Sequence, residues 1–199
     1  MPAMTPRRTT VTRATRETDI TIELSIDGAG TANVSTGIGF LDHMLTALAL
    51  HARLDLSLTC AGDLVVDDHH SVEDCAIAIG TALDRALGDR TGITRFGYAY
   101  APLDEALARA VVDISGRPFA RVNIGLVRES LGGLSCENVP HFFSSLATAA
   151  RLTLHIDLLN GENDHHRAEA AFKAFALALR SAVARGAGAD VPSTKGVLS

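Results

Sequence analysis

Apolar and polar positions change period several times along the chain. Over 20–27 (ITIELSID) they alternate strictly, the mark of a strand with one buried face. The turn-forming run Asp27-Gly28-Ala29-Gly30 follows, so 30–37 (GTANVSTG) is expected to return as the second arm of a hairpin. The spacing becomes helical over 39–52 and alternates again over 53–60. It turns helical once more after Asp67 or Asp68, either of which would cap a helix running to about Leu87. That helix carries a stripe of Val72, Cys75, Ala76, Ile79, Leu83 and Leu87, and Gly88 ends it. From Gly97 onward, 105–115 and 118–126 read as strands about a turn at Gly116. A short helix over 140–150, a strand over 151–159 and a long alanine-rich helix over 163–184 complete the pattern.

The two halves repeat one another. ARLDLSL (52–58) matches ARLTLHI (150–156), and the same spacing lays His43 on His141 and Leu48 on Leu146. After a slightly shorter loop, DHHSVE (68–73) falls on DHHRAE (164–169). Upstream, SIDG (25–28) falls on DISG (113–116). The expected fold is therefore α+β: an internal duplication of a strands-helix-strand-helix unit, with two sheets and helices packed between them. The expected division is a flexible tail 1–10, a first repeat 11–96, a second repeat 97–187 and a C-terminal tail 188–199.

Composition narrows the classes. The chain has 199 residues, 47% of them hydrophobic but only 5% aromatic, so its core must be built from Ala, Leu, Ile and Val. A formal charge of −5 leaves no basic surplus for nucleic acid. No apolar run is long enough to span a membrane, and the start MPAMTPRRTT lacks an apolar signal core. Cys60, Cys75 and Cys136 are odd in number and lack metal-type spacing, which suits reduced thiols in a cytoplasmic protein.

The repeated His-His-x-x-Glu carries the chemistry. Successive helical residues turn by about 100°, so His69 and His70 diverge, and Glu73 falls angularly between them. Adjacent histidines that diverge suit two ions better than one. His165, His166 and Glu169 copy the arrangement. With His43 and His141 the set is six histidines and two glutamates, enough for two ions with open positions left for substrate. Imidazole with carboxylate and no thiolate suits Mn²⁺, Fe²⁺, Zn²⁺, Co²⁺ or Ni²⁺. Asp68 and Asp164 would cap the helices or hold a ligand imidazole. A lone His-His pair is ordinarily a solvated surface feature; recurrence in register with His43 and His141 is what points to metal. His155 lies opposite Ser57 in the repeat and reads as an ordinary strand histidine.

An asymmetric substrate calls for residues that break the repeat. Lys173 lies four residues after Glu169, and its counterpart is Ile77. A cation there invites an anion. Arg95, Arg117 and the tail residues Ser193, Thr194 and Lys195 would each alone be surface groups, but together they suit a phosphate. Two other classes use similar clusters: a non-catalytic dimetal storage or sensor protein, and a dimetal phosphohydrolase. The first needs no asymmetric anion pocket, and the second would be expected to show aspartate-rich bridging ligands.

TGIGFLDHML, DDHHSVEDCAIAIG, HFFSSL, NDHHRAEAAFKAFALALR and PSTKGVL closely resemble the imidazoleglycerol-phosphate dehydratase family of histidine biosynthesis, from about Arg13 to Leu198. The resemblance implies a ribosomal protein S5 domain 2-like fold and metal-dependent dehydration of D-erythro-imidazole glycerol phosphate to imidazole acetol phosphate. It implies two Mn²⁺ per active site, on His43, His69, His70, Glu73, His141, His165, His166 and Glu169. It implies substrate contacts at Glu17, His51, Arg95, Arg117, Lys173, Ser193, Thr194 and Lys195, and at the ligands His43, His69, His70, Glu73, His165, His166 and Glu169. Glu17, His69, Glu73, His165 and Glu169 are the catalytic candidates. It also implies a cytoplasmic homo-oligomer of 24 subunits with sites shared between them. Some members of the family are fused to a histidinol-phosphate phosphatase; this chain is short and shows no Asp-x-Asp nucleophile motif, so the dehydratase activity alone is expected. The division of the eight ligands between two ions stays open, except that the two sets should be equivalent under exchange of the halves.

Overall fold

In the computed structural model, which describes residues 6–186, 188, 190–196 and 198, regular structure starts earlier than the sequence pattern suggests. Strand β1 (Arg8–Ala14) takes in residues 8–10, expected to belong to a loose tail. Val11 is its single buried apolar side chain, too little for an alternation to show. The strand is held by antiparallel pairing with β2 (Thr18–Ser25), from Arg8 opposite Ser25 to Ala14 opposite Asp19.

β2 buries Ile20, Ile22 and Leu24 on one face, as its alternation requires. Its second edge takes β4 (Asp55–Gly62), also antiparallel. The hairpin expected of 30–37 is not formed, because β3 (Ala32–Ser35) runs parallel to β4 on that strand's far edge. A carboxylate explains the difference. Asp55 accepts the backbone N–H groups of Ala29, Gly30 and Thr31 at 2.9, 3.1 and 3.0 Å. These bonds fix the turn against the start of β4 and carry the chain past β2. Helix α1 (Gly39–Ala52) crosses from β3 to β4, and α2 (His69–Leu87) follows β4, ending at Gly88 as its sequence predicts.

The second half repeats this topology. The first sheet has the order β1-β2-β4-β3. The second is made of β5 (Phe96–Leu103), β6 (Ala106–Asp113), β7 (Phe119–Asn123) and β10 (Thr153–Asn160), in the order β5-β6-β10-β7. β7 lies parallel to β10, as β3 does to β4. Helices α3 (Asn138–Ala149) and α4 (Asp164–Val183) match α1 and α2. A two-stranded hairpin, β8 (Ser130–Leu131) and β9 (Leu134–Ser135), is inserted between β7 and α3 and has no counterpart in the first half.

β5 was hidden in the sequence because its faces are reversed. Phe96, Tyr98 and Tyr100 point to solvent, Tyr98 with 75% of its surface exposed, while Gly97 and Ala101 are buried. A Cβ at Gly97 would lie 1.9 Å from the Ala178 carbonyl oxygen of α4, so only glycine permits this approach. α2 covers β1 and β2, and α4 covers β5 and β6; across the middle α2 packs on α3 and α1 on α4. The helices thus form one layer between two sheets, with Phe143 meeting Phe172 at 4.6 Å between ring centres. No helix among the described residues is long and apolar enough to cross a membrane.

Candidate metal centre and active site

The two His-His helices start in the same way. Asp67 accepts the His69 N–H and Asn163 accepts the His165 N–H, each at 2.9 Å. Asp68 and Asp164, expected to cap or to hold a ligand imidazole, do neither. Asp68 accepts the Ser135 N–H and hydroxyl, both at 2.7 Å. Asp164 accepts the N–H groups of Val127 and Arg128 at 2.9 and 2.7 Å. Burial works to raise both carboxyls, and these donors outweigh it and hold them below the usual range. Both aspartates therefore grip the one segment that the second half adds.

Six of the eight expected ligands converge as two triads. His43 on α1 meets His165 and Glu169 on α4, and His141 on α3 meets His69 and Glu73 on α2, with the ligand atoms of each triad within 4.8 Å of one another. Nε2 of His43 and of His165 both lie 3.2 Å from the same oxygen of Glu169. His141 Nε2 lies 3.1 Å from Glu73, and its ring stacks on His69 at 4.8 Å. Exchange of the halves turns one triad into the other, as the repeat requires. Two imidazole nitrogens and a carboxylate oxygen converging on one point fit a divalent ion of the first transition row.

His70 and His166 stand outside both triads, as the divergence of neighbouring helical residues foretold. His70 Nδ1 is held at 3.0 Å by Asp63, and His166 Nδ1 at 2.6 Å by Glu105. These bonds lead in raising both imidazoles above the usual histidine value, against a smaller opposing effect of burial. Glu105 is held down to about 2, first by the Asn163 amide and then by His166. Neither Asp63 nor Glu105 stood out in the sequence. Extending the match of SIDG to DISG backwards by eight residues lays Glu17 on Glu105 and would have marked it.

The residues that break the repeat separate into two places. Lys173 forms a 2.7 Å ion pair with Glu169. Burial tends to raise the Glu169 carboxyl, but Lys173 and His43 outweigh it and keep it low. His51, in the last turn of α1, is lowered by burial and then by Lys173. Arg95 lies at the far end of α4, where its N–H bonds the Ala182 carbonyl. Its guanidinium binds Asp113 and the Pro192 carbonyl, which draws in the tail bearing Ser193, Thr194 and Lys195. Arg117 is exposed after β6. At 1.5 Å per residue, Ala182 stands roughly 20 Å along the helix from Glu169. Within one chain these cations do not gather round the triads. Glu17, in the β1–β2 turn, is 51% exposed and 3.7 Å from His70 Nε2. Cys60, Cys75 and Cys136 are free thiols.

Residues 36–179 match the family model described as imidazoleglycerol-phosphate dehydratase. The chain is 61% identical over 193 residues to the imidazoleglycerol-phosphate dehydratase of Phytophthora nicotianae, covering 97% of this chain but only 43% of that longer relative. Identity to the Pyricularia oryzae imidazoleglycerol-phosphate dehydratase is 54% over 221 residues, with 98% of each chain covered. The crystal structure of imidazoleglycerol-phosphate dehydratase from Staphylococcus aureus superposes with a TM-score of 0.81 at 42% identity, covering 89% of this chain and 99% of that one. Nothing in these relatives supports the storage or sensor alternative. The chain belongs to the imidazoleglycerol-phosphate dehydratase family, the hydro-lyases of histidine biosynthesis.

Proposed function

We propose that D-erythro-imidazole glycerol phosphate is dehydrated to imidazole acetol phosphate at a site holding two Mn²⁺ and shared between copies of this chain. One observation carries the reading: six ligands form two equivalent triads inside the chain, while His70 and His166 stand apart with Nδ1 engaged. In an assembly, His70 and His166 of one copy complete the triads of others, giving four protein ligands to each ion. The split of Lys173 from Arg95, Arg117, Ser193, Thr194 and Lys195 supports the same arrangement, since a small phosphorylated substrate would need both groups. The 24-subunit assembly and a cytoplasmic location, expected from the family and from the reduced thiols, belong to this proposal.

The proton to be lost lies on a carbon with no carbonyl beside it, so the imidazole ring must serve as electron sink. Mn²⁺ held by the His/Glu triads would supply the Lewis acidity that this electron sink needs. The chain's own groups do the rest. The triad imidazoles and Glu73 and Glu169 position the ring and the chain hydroxyl. Glu17, exposed and beside His70, moves the proton. Lys173 of α4, Arg95 just before β5, Arg117 after β6 and Lys195 of the tail hold the phosphate by charge-assisted hydrogen bonds. The test is formation of imidazole acetol phosphate by chelated protein with and without added Mn²⁺. Activity restored by Mn²⁺ is expected; no activity under either condition would overturn the reading.

A further inference from the structure

The two outer histidines are steadied by carboxylates of different origin. In the second half, Glu105 comes from the turn between β5 and β6. Its Oε1 accepts the N–H groups of Glu162 and Asn163 at 3.2 and 2.8 Å, and its Oε2 stands 2.6 Å from His166 Nδ1. In the first half, Asp63 comes from the loop between β4 and α2, with oxygens 3.0 and 3.2 Å from His70 Nδ1. The strand ends place Glu17 as the counterpart of Glu105: Arg8 corresponds to Phe96, Thr18 to Ala106 and Ser25 to Asp113. The spacing that lays His43 on His141 lays Asp63 on Gly161, which has no side chain. Asp63 has thus taken in one half the place that the turn glutamate fills in the other.

We infer that Glu105 and Asp63 are positioning residues that fix the metal-binding tautomer of His166 and His70, and that Asp63, by relieving Glu17 of that duty, leaves Glu17 free for acid–base chemistry. An ionised carboxylate only accepts hydrogen bonds, so Nδ1 must carry the proton and Nε2 keeps its lone pair for an ion. Partners of this kind orient ligand histidines and change metal affinity by about 10- to 100-fold. Glu17 stands on the opposite, Nε2 side of His70, at 3.7 Å, and among the described residues its carboxylate accepts no backbone N–H, whereas that of Glu105 accepts two. One repeat position therefore holds two different functions.

This inference rests on the two-metal reading, and the test separates the two. Metal-free wild type, Glu105→Gln, Asp63→Asn and Glu17→Gln are titrated calorimetrically with MnCl₂, and the thermal midpoint of each metal-free protein is recorded. Glu105→Gln is informative because an amide oxygen still accepts the loop N–H groups while its NH₂ faces Nδ1 and favours the wrong tautomer. The expected result is about 10- to 100-fold weaker Mn²⁺ binding in Glu105→Gln and Asp63→Asn, with thermal midpoints within a few degrees of wild type. Glu17→Gln should bind Mn²⁺ like wild type and lose turnover when metal-saturated. Wild-type binding with wild-type affinity in both positioning variants would overturn the inference alone. Wild type that binds no Mn²⁺ would overturn the two-metal reading beneath it. Should Glu105→Gln fail to fold, Asp63→Asn decides, since its carboxylate carries no comparable pair of loop amides.

Discussion

Gly80 offers a test in which two effects of opposite sign compete. It lies on α2 where that helix crosses α3, two turns after Glu73. A Cβ there would meet the Leu146 carbonyl oxygen at 2.6 Å, the Ala149 Cβ at 2.7 Å and the Ala150 nitrogen at 2.9 Å. Gly80→Ala gains about 1 kcal/mol of helix propensity. To restore ordinary contact, α3 must retreat by about 0.8 Å, and overpacking of this kind costs about 1–3 kcal/mol. Backbone atoms supply two of the three contacts, so the upper part of that range applies and the net effect is a loss of about 1–2 kcal/mol. With a urea m-value of about 2 kcal/mol/M, the midpoint of the metal-free protein should fall by about 0.5–1 M at fixed protein concentration. The same retreat stretches the 3.1 Å approach of His141 to Glu73, whereas His43, His165 and Glu169 lie on the other helix pair. Mn²⁺ titration should therefore weaken at one site in two. A midpoint that rises, with both sites intact, would show that propensity prevails and that the close crossing does not govern this triad.

Lys173→Met should raise the substrate KM at least tenfold and leave Mn²⁺ content unchanged in metal analysis; an unaltered KM would remove Lys173 from phosphate binding. Mixing His70→Ala with His165→Ala after chelation, then adding Mn²⁺, should restore part of the activity that each lacks, since each supplies the side of the shared site that the other has lost; inactive mixtures that nonetheless co-assemble would place the site within one chain. Asp55 is held below the usual aspartate range, first by the Thr31 amide and, against an opposing effect of burial, by Ala29 and Gly30. Its contribution is present above the unfolded value of about 3.9 and is lost as pH falls through the lower folded value. Asp55→Asn should therefore melt earlier than wild type at pH 7, with the gap closing as pH falls below about 4 in thermal scans of metal-free protein; a gap constant down to pH 2 would refute this.

The helices and the duplication were legible because burial imposes a period on the side chains. α1 spans Gly39–Ala52, the same residues whose spacing is helical, and α2 ends at Leu87. The residues of the candidate metal triads stood out for a similar reason, since His-His-x-x-Glu has meaning only on a helix, although how they divide into triads did not. β1 was not legible, because a strand with one buried apolar residue shows no alternation; its stability comes from hydrogen bonds to β2. β5 misleads in the other direction, with aromatic residues outside and Gly97 within. The parallel path of β3 depends on one carboxylate, Asp55, gathering three amides from a distant turn, and no local pattern records such a bond. Asp63 and Glu105 escaped notice for the same reason: they lie in loops, and their role exists only after two segments meet.

The grip of Asp68 and Asp164 on residues 127–135 also bears on ancestry. A duplicated unit begins as two exchangeable copies, each able in principle to stand by itself. Here one added segment, the hairpin and the residues that lead into it, is claimed by both: Ser135 by the helix of the first copy, Val127 and Arg128 by that of the second. The first half, cut away before this segment, would leave the buried Asp68 at its ligand helix without the Ser135 amide, whereas the second half keeps the amides that satisfy Asp164. What arose as repetition has become dependence, because the first half now lacks a part that only the second supplies.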